Sequence, residues 1–436
     1  METKLTRIAQ VAKEKPNARF TSLAHLINVE QLKECHRRLN PRKVPGVDEI
    51  TKEEYELNLE ANLQDLVARM KRNAYKPQPV KRTYIPKPNT KEKRPLGIPS
   101  YEDKLVQAAL ADIINAIYEA DFLECSYGFR PGRGCHDALR EVNHIIEQKK
   151  VNYIVDVDIR GFFDHVDHEW LKKFVAHKIA DSQIQRLITR ILKAGVMEAG
   201  IKYDTPEGTP QGGVVSPILA NIYLHYVLDL WFEKRIKRDC QGDAYIVRYA
   251  DDFVCCFQYE KEAKTFLIEL KERLKKFSLE VAEEKTRIIN FGRFAKPTGK
   301  NGKSKLDTFD FLGFTHYYST SREGKPRVKR KTSKKKMRAS LLRCKEWLRQ
   351  NRNKPAKELM KTFRQKIQGH YNYYGVTDNI KALRVFYYQA KRMLYKWLNR
   401  RSQRKSFSWD KYELFLVKFP IPEPRIRVNI LQRRPI

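Results

Sequence analysis

Apolar residues recur at three- and four-residue spacing through SLAHLINVEQLKECHRRL and EEYELNLEANLQDLVARMKR, which predicts helices within residues 21–74. Between them PRKVPGVD is a loop, marked by two prolines and a glycine. YKPQPVKRTYIPKPNTKEKRPLGIP predicts two short strands joined by a basic tip. Residues 101–120, YEDKLVQAALADIINAIYEA, have the pattern of an amphipathic helix. Period-two alternation in VNYIVDVDI, residues 151–159, predicts a strand, with a helix following across 168–194. A further helix is expected at 215–238, then two strands around a tight turn in YIVRYADDFVCCFQ. EAKTFLIELKERLKKF reads as a helix, LEVAEEKTRIINF as strand material, and the Gly-, Lys- and Pro-rich stretch 295–307 as a loop.

The length of 436 residues exceeds one ordinary core and implies two or three domains. Composition shifts at about residue 320. Residues 321–350 hold thirteen Lys or Arg against two acids, and 391–405 hold seven against none, with the aromatic helical segment FRQKIQGHYNYYG between. The expected division is 1–100, 101–320, a helical region 321–400, and a short basic tail 401–436.

Charge changes the picture more than composition does. The chain carries 87 Lys and Arg against 52 Asp and Glu, a formal +35. Such a surplus repels itself unless a polyanion is the normal partner, which points to nucleic acid. No apolar run approaches the ~18 residues of a membrane span. The first thirty residues lack a signal-peptide core, so a cytoplasmic location is expected. Seven cysteines show neither CxxC spacing nor His partners at zinc-ligand distances, and read as reduced, mostly core residues.

RYADDF, residues 248–253, sets Asp251 and Asp252 side by side within an apolar run. Acids are common at turns. Here, however, the flanking strands are apolar, and unpaired like charges at their end are costly. A divalent cation removes that difficulty, and Mg²⁺ favours a few carboxylates plus substrate phosphates. A third carboxylate is then expected on a neighbouring strand. VDVDIRGFFDHVDH offers Asp156 and Asp158, the latter at the strand end before Gly161. Asp164 and Asp167 compete for the role, but their position after the glycine also suits the start of a helix. Three carboxylates around two metals suit in-line nucleotidyl transfer.

VDVDIRGFFDHVDH, GTPQGGVVSPILANIYL, YADD, LEVAEEKT and FDFLGF stand in the order and spacing of reverse transcriptase motifs. From about residue 35 to about residue 400 the chain resembles the reverse transcriptase/maturases encoded by group II introns. The resemblance implies an α+β right-hand polymerase, with fingers and an antiparallel palm sheet, followed by a helical thumb or maturase X domain. It implies RNA-directed DNA synthesis with two Mg²⁺ ions, or Mn²⁺, on an RNA template, a DNA primer or target DNA, and dNTPs. It also implies binding of intron RNA in splicing and retromobility. Asp158, Asp251 and Asp252 would be metal ligands, with the carbonyl of Ile159. Tyr249 would lie beneath the primer end. Phe163 would exclude the ribose 2′-hydroxyl, and Gln211 would line the nucleotide pocket, with Gly212 and Gly213 giving backbone access to nucleotide and template.

Lys87 and Arg94 are candidates for the triphosphate, with Lys91 and Lys93 as alternatives. Lys285 is either a proton donor to pyrophosphate or a solvated lysine. In SYGFRPGRGCHDAL, Phe129 and Arg130 would be structural or template-facing, and His136 is expected to cap or pack. Tyr371, Tyr373 and Tyr374 read mostly as packing residues, with stacking on bases as the alternative. RVKRKTSKKKMR offers Lys329, Arg330, Lys331, Lys334, Lys335, Lys336 and Arg338 to RNA phosphates, against the alternative of a solvated helix.

Two features depart from the family pattern. Residues 401–436 hold neither Cys nor His, so the family's metal-dependent endonuclease is not expected. PGVDEI carries Glu49 where the family has a glycine. Competing readings are a non-catalytic RNA chaperone on the same fold and a related enzyme domesticated for defence or DNA repair.

Overall fold

The computed structural model describes residues 2–86, 93–209, 212–292, 295, 307–320, 326–401 and 407–432. The N-terminal part is helical: α1 (Glu2–Glu14), α2 (Val29–Arg38), α3 (Lys52–Glu56) and α4 (Leu59–Lys71). Asn28 caps α2 by accepting the Gln31 N–H, and Thr51 with Glu54 forms a capping box on α3. Strands β1 (Val80–Pro86) and β2 (Lys93–Ile98) form the expected antiparallel hairpin, its register running from Lys81↔Ile98 to Pro86↔Lys93.

Helix α5 (Tyr101–Tyr118) starts at the Ser100 cap and is buried on nearly every side, including Leu105, Leu110, Ile113, Ile114 and Ile117. An apolar helix covered all round belongs at the centre of a core. Helix α6 (Cys135–Gln148) follows, then β3 (Tyr153–Asp158). The helix expected across 168–194 is two helices, α7 (His168–Ala176) and α8 (Ser182–Leu192). They are divided by Asp181, whose carboxylate accepts the N–H groups of Gln183 and Ile184 and also those of Leu23 and Ala24.

Short strands β4 (Val196–Glu198) and β5 (Ile201–Tyr203) extend the hairpin into a sheet ordered β2-β1-β4-β5, in which only β1–β4 is parallel. Helix α9 (Ser216–Leu224) continues through π-helical turns into α10 (Lys237–Asp239).

The central sheet is antiparallel, ordered β6 (Ala244–Tyr249), β7 (Asp252–Phe257), β3 and β8 (Arg287–Asn290), with α11 (Glu260–Lys276) between β7 and β8 in sequence. Both faces are covered, which accounts for the near-continuous apolar run FVCCF. Val155, Val157, Phe253, Cys255 and Phe257 pack with α11, whereas Ile154, Val254 and Cys256 pack with α6 and the C-terminal helices.

A third sheet, β11-β10-β9, comprises β9 (Phe309–Phe311), β10 (Phe314–Thr320) and β11 (Pro326–Thr332). The compositional shift at 320 therefore falls inside a hairpin, and the helical region begins only at α12 (Lys334–Asn351), capped by Ser333. It continues with α13 (Ala356–Tyr374), α14 (Ile380–Leu398) and α15 (Trp409–Lys418).

Residues 407–432 are not a loose basic tail. Tyr412 is buried and donates to the Lys391 carbonyl, and Val428 bridges to Val376. Among the described residues no helix is long and apolar enough to cross a membrane.

Candidate active site

The β6–β7 hairpin closes on the pair Tyr249↔Asp252, leaving Ala250 and Asp251 as the turn, with Ala250 in the left-handed region at φ 58°. On the other side of β7, Asp252 stands directly opposite Asp158 in register with β3. Side chains opposite one another share a face, so the two carboxylates project together from the end of the sheet. Asp156 lies on the same face two residues earlier, beside Arg287 at 3.7 Å, and burial pushes its carboxyl up to about 6. Of the acids after Gly161, Asp167 caps α7 by accepting the Trp170 N–H, as its position suggested.

Asp252 reaches solvent through a cleft but is crowded by protein atoms. That crowding, followed by the charges of Asp156, Asp251 and Asp158, pushes its carboxyl up to about 7. The Asp251 carboxyl is raised mainly by burial, which the guanidinium groups of Arg94 and Arg248 partly offset. Arg94, on β2, thus belongs to the electrostatic surroundings of the turn.

Among the described residues no three His, Cys, Asp or Glu side chains already converge closely enough to hold a metal ion. Lys285 instead donates to Asp158 at 2.6 Å, placing an ammonium where a cation is wanted. The donor set fits Mg²⁺ in chemistry: hard carboxylate oxygens, mutually repelling, on one face of a rigid sheet. The Ile159 carbonyl is not spent on the neighbouring bridge to Val281, which uses the Asp158 carbonyl and the Arg160 N–H.

Phe163 follows β3 in a short helical turn, its ring half-buried against Phe162. Tyr249 is half-buried at the end of β6, and Gly213 is buried. Gly212 has φ 109°, and a Cβ there would lie 2.5 Å from the Gly97 carbonyl oxygen, so the backbone can approach β2 only as glycine. Lys87 and Gln211 lie outside the described residues, as does Lys91, whereas Lys93 is exposed on β2.

Asp252 also forms part of a cavity of about 650 Å³ between the sheet and the C-terminal helices, lined further by Leu312, Lys336, Arg343, Lys366 and Tyr373. Of the basic stretch 329–338, Lys331, Lys334, Lys335, Lys336 and Arg338 are exposed, and Lys329 is half-buried. Arg330 must be withdrawn from any RNA-contacting set. It is fully buried, because alternation along β11 turns it inward, where it donates to Asn143 and the Val328 carbonyl. His136 bonds the Tyr373 carbonyl at 2.8 Å, Arg130 pairs with Glu119, and Tyr371 and Tyr374 are buried, so all four serve packing.

Sequence reasoning left Arg248 unassigned, and the structure makes it the support of the turn. It is fully buried, pairs with the equally buried Asp229, and donates to Asn221 Oδ1, Ser126 Oγ and the Ala250 carbonyl. Gly128 packs so closely under the turn that a Cβ would meet the Ala250 nitrogen at 2.4 Å. An arginine inside an otherwise apolar strand was the one visible signal of this support.

Residues 85–316 match the family described as reverse transcriptase (RNA-dependent DNA polymerase), and residues 334–415 match the group II intron maturase-specific domain. The group II intron-encoded protein LtrA of Lactococcus lactis subsp. cremoris is 33% identical over 303 residues, 67% of this chain and 50% of that protein. The chain therefore spans about half the length of that relative. Protein YkfC of Escherichia coli (strain K12) is 32% identical over 345 residues, covering 74% of this chain and 90% of YkfC. An uncharacterized 91 kDa protein in the cob intron of Schizosaccharomyces pombe is 44% identical over 151 residues, 34% of this chain and 18% of that protein.

Proposed function

Because the chain belongs to the reverse transcriptases encoded by group II introns, we propose that it is an RNA-directed DNA polymerase that also binds intron RNA as a maturase in splicing and retromobility. One observation carries the reading: the register that sets Asp158 opposite Asp252 at the end of the central sheet, beside Asp251 in the turn. On this reading the molecule is a right-hand polymerase. The β1–β2 hairpin and N-terminal helices are its fingers, the central sheet its palm and α12–α14 its thumb.

Asp158, Asp251, Asp252 and the Ile159 carbonyl would hold two Mg²⁺ ions, or Mn²⁺, which when bound supply Lewis acidity to the primer hydroxyl and the leaving pyrophosphate. The protein's own groups do the positioning. Arg94 would orient the triphosphate, with Lys87 as a further candidate, and Gln211 would line the pocket of the incoming nucleotide. Tyr249 supports the primer end, and Phe163 fills the space a ribose 2′-hydroxyl would need. Lys285, once it leaves Asp158, carries a proton on Nζ toward the pyrophosphate. The cavity that brings Lys336, Arg343 and Lys366 close to Asp252 suits the sugar-phosphate backbone of the growing duplex.

The test is primer extension on an RNA template with dNTPs and Mg²⁺. Wild type should extend, and Asp251→Ala should fall below about one per cent of it through loss of electrostatic stabilisation. RNA affinity of the variant should stay near wild type. No extension by wild type rejects the enzyme, and an equal collapse of RNA binding in Asp251→Ala makes the carboxylate structural.

A further inference from the structure

The loop bearing Phe163 is held from outside by a segment far along the chain. The Thr209 N–H donates to the Phe163 carbonyl at 2.7 Å, and the Gly208 N–H donates to the Val166 carbonyl at 2.8 Å. Gly208 has φ 86°, and a Cβ on it would lie 2.8 Å from the Asp164 carbonyl oxygen and 3.0 Å from that of Phe163. Two strands of backbone are therefore in contact, with no room for a side chain between them.

His168, the first residue of α7, is buried, and its Nε2 lies 2.6 Å from the Gly208 carbonyl. A carbonyl only accepts, so Nε2 carries the proton and donates. His165 adds a half-exposed contact to Glu207 at 3.2 Å. The same segment leads directly into TPQGG.

We propose that Glu207–Thr209 is a brace that fixes the position of Phe163, so that discrimination between deoxyribose and ribose is set by this brace, with His168 as its positioning residue. The inference rests on the reading of Phe163 as the ring that faces the sugar. A steric filter works only as well as its wall resists displacement, since a ring free to shift by a fraction of an ångström admits one more oxygen. The wall here is not stiffened by its own helical turn, which is short and half-exposed. Its backbone is pinned by the two bonds from Gly208 and Thr209, and those are aligned by the bond from His168. The brace also lies immediately before Gln211 in the sequence.

The experiment measures single-nucleotide incorporation of a dNTP and the matching rNTP by wild type, Phe163→Val, His168→Leu, His168→Gln and Gly208→Ala. The discrimination ratio should fall about tenfold in His168→Leu and Gly208→Ala, through a rise in rNTP efficiency relative to dNTP. His168→Gln, whose amide can still donate to Gly208, should keep most of the ratio. In the double variant Phe163→Val/His168→Leu, the second change should add nothing to the first. The ratio is read per active molecule, so partial misfolding of one variant does not change it, and His168→Leu serves if Gly208→Ala does not fold. A relaxed ratio in Phe163→Val with wild-type ratios in His168→Leu and Gly208→Ala overturns the brace and leaves the filter standing. An unchanged ratio in Phe163→Val overturns the filter, and the brace with it.

Discussion

Arg248 shows how much one buried charge can be asked to do. Its guanidinium spends its donors on Asp229, Asn221, Ser126 and the Ala250 carbonyl, and so joins the hairpin turn to α9, the helical turns after it and the loop before α6. Ala250, in a left-handed conformation that disfavours a Cβ, is held there by that bond and by Gly128 beneath it. Arg248→Met leaves the Asp229 carboxyl buried without its partner and should destabilise the protein by roughly 3–5 kcal/mol. The double variant Arg248→Met/Asp229→Leu removes the orphaned carboxyl and should recover most of that loss in chemical denaturation. Primer extension should nonetheless stay at least about tenfold down, because the Ala250 carbonyl has lost its charged donor and the turn that carries Asp251 is no longer fixed. Recovery of both stability and extension in the double variant would reduce Arg248 to a strut with no part in the site.

At the scale of elements, Glu49 tests whether the departure in PGVDEI matters. The loop is packed against the start of α5. Asp48 accepts the Tyr101 N–H at 3.1 Å, and a Cβ on Gly46 would lie 2.6 Å from the Pro99 carbonyl oxygen. Glu49 sits at φ 56°, the conformation in which glycine is at ease and a side chain is strained. Its only compensation among the described residues is an exposed pair with Lys81 at 3.4 Å, a weak interaction in solvent. Glu49→Gly should therefore stabilise by roughly 0.5 kcal/mol, the relief of strain exceeding the added freedom of the unfolded chain. Thermal unfolding should rise by about 1 °C. A fall would mean that the Lys81 pair outweighs the backbone strain.

The same scale explains what could be read in advance. The β6–β7 hairpin was legible as two apolar runs around a polar turn, and α5 from the helical period of its apolar residues. Helix α6 carries that period too, in Ala138, Leu139, Val142, Ile145 and Ile146, but its glycine-rich approach drew attention to a motif rather than to a helix. Strands β4 and β5, three residues each, are too short to show any period.

For the whole molecule, the +35 surplus points to a polyanionic partner but not to the surface that would meet it. The carboxylates were legible because acids in apolar strands are rare. That Asp158, and not Asp156, stands directly opposite Asp252 is a matter of strand register, a long-range fact that local pattern does not contain. Arg330 failed for the same reason: within one basic run, alternation buries it and leaves Lys331 exposed.

The start of α12 presents Lys334, Lys335, Lys336 and Arg338 to solvent. Lys336 also lines the cavity that Asp252 enters, so this basic face is continuous with the site. If these four side chains lie along phosphates, replacing all of them with Gln removes the charges that displace counterions from the RNA. RNA affinity should fall, and its logarithmic salt slope should flatten by about 0.7 for each single-stranded phosphate no longer neutralised. Arg330→Gln should leave that slope unchanged while lowering stability, since it strips a buried donor from Asn143. Titration of RNA binding across salt concentrations distinguishes the cases. An unchanged slope in the fourfold variant moves the RNA to another face, and a flattened slope in Arg330→Gln would mean that β11 opens when RNA binds.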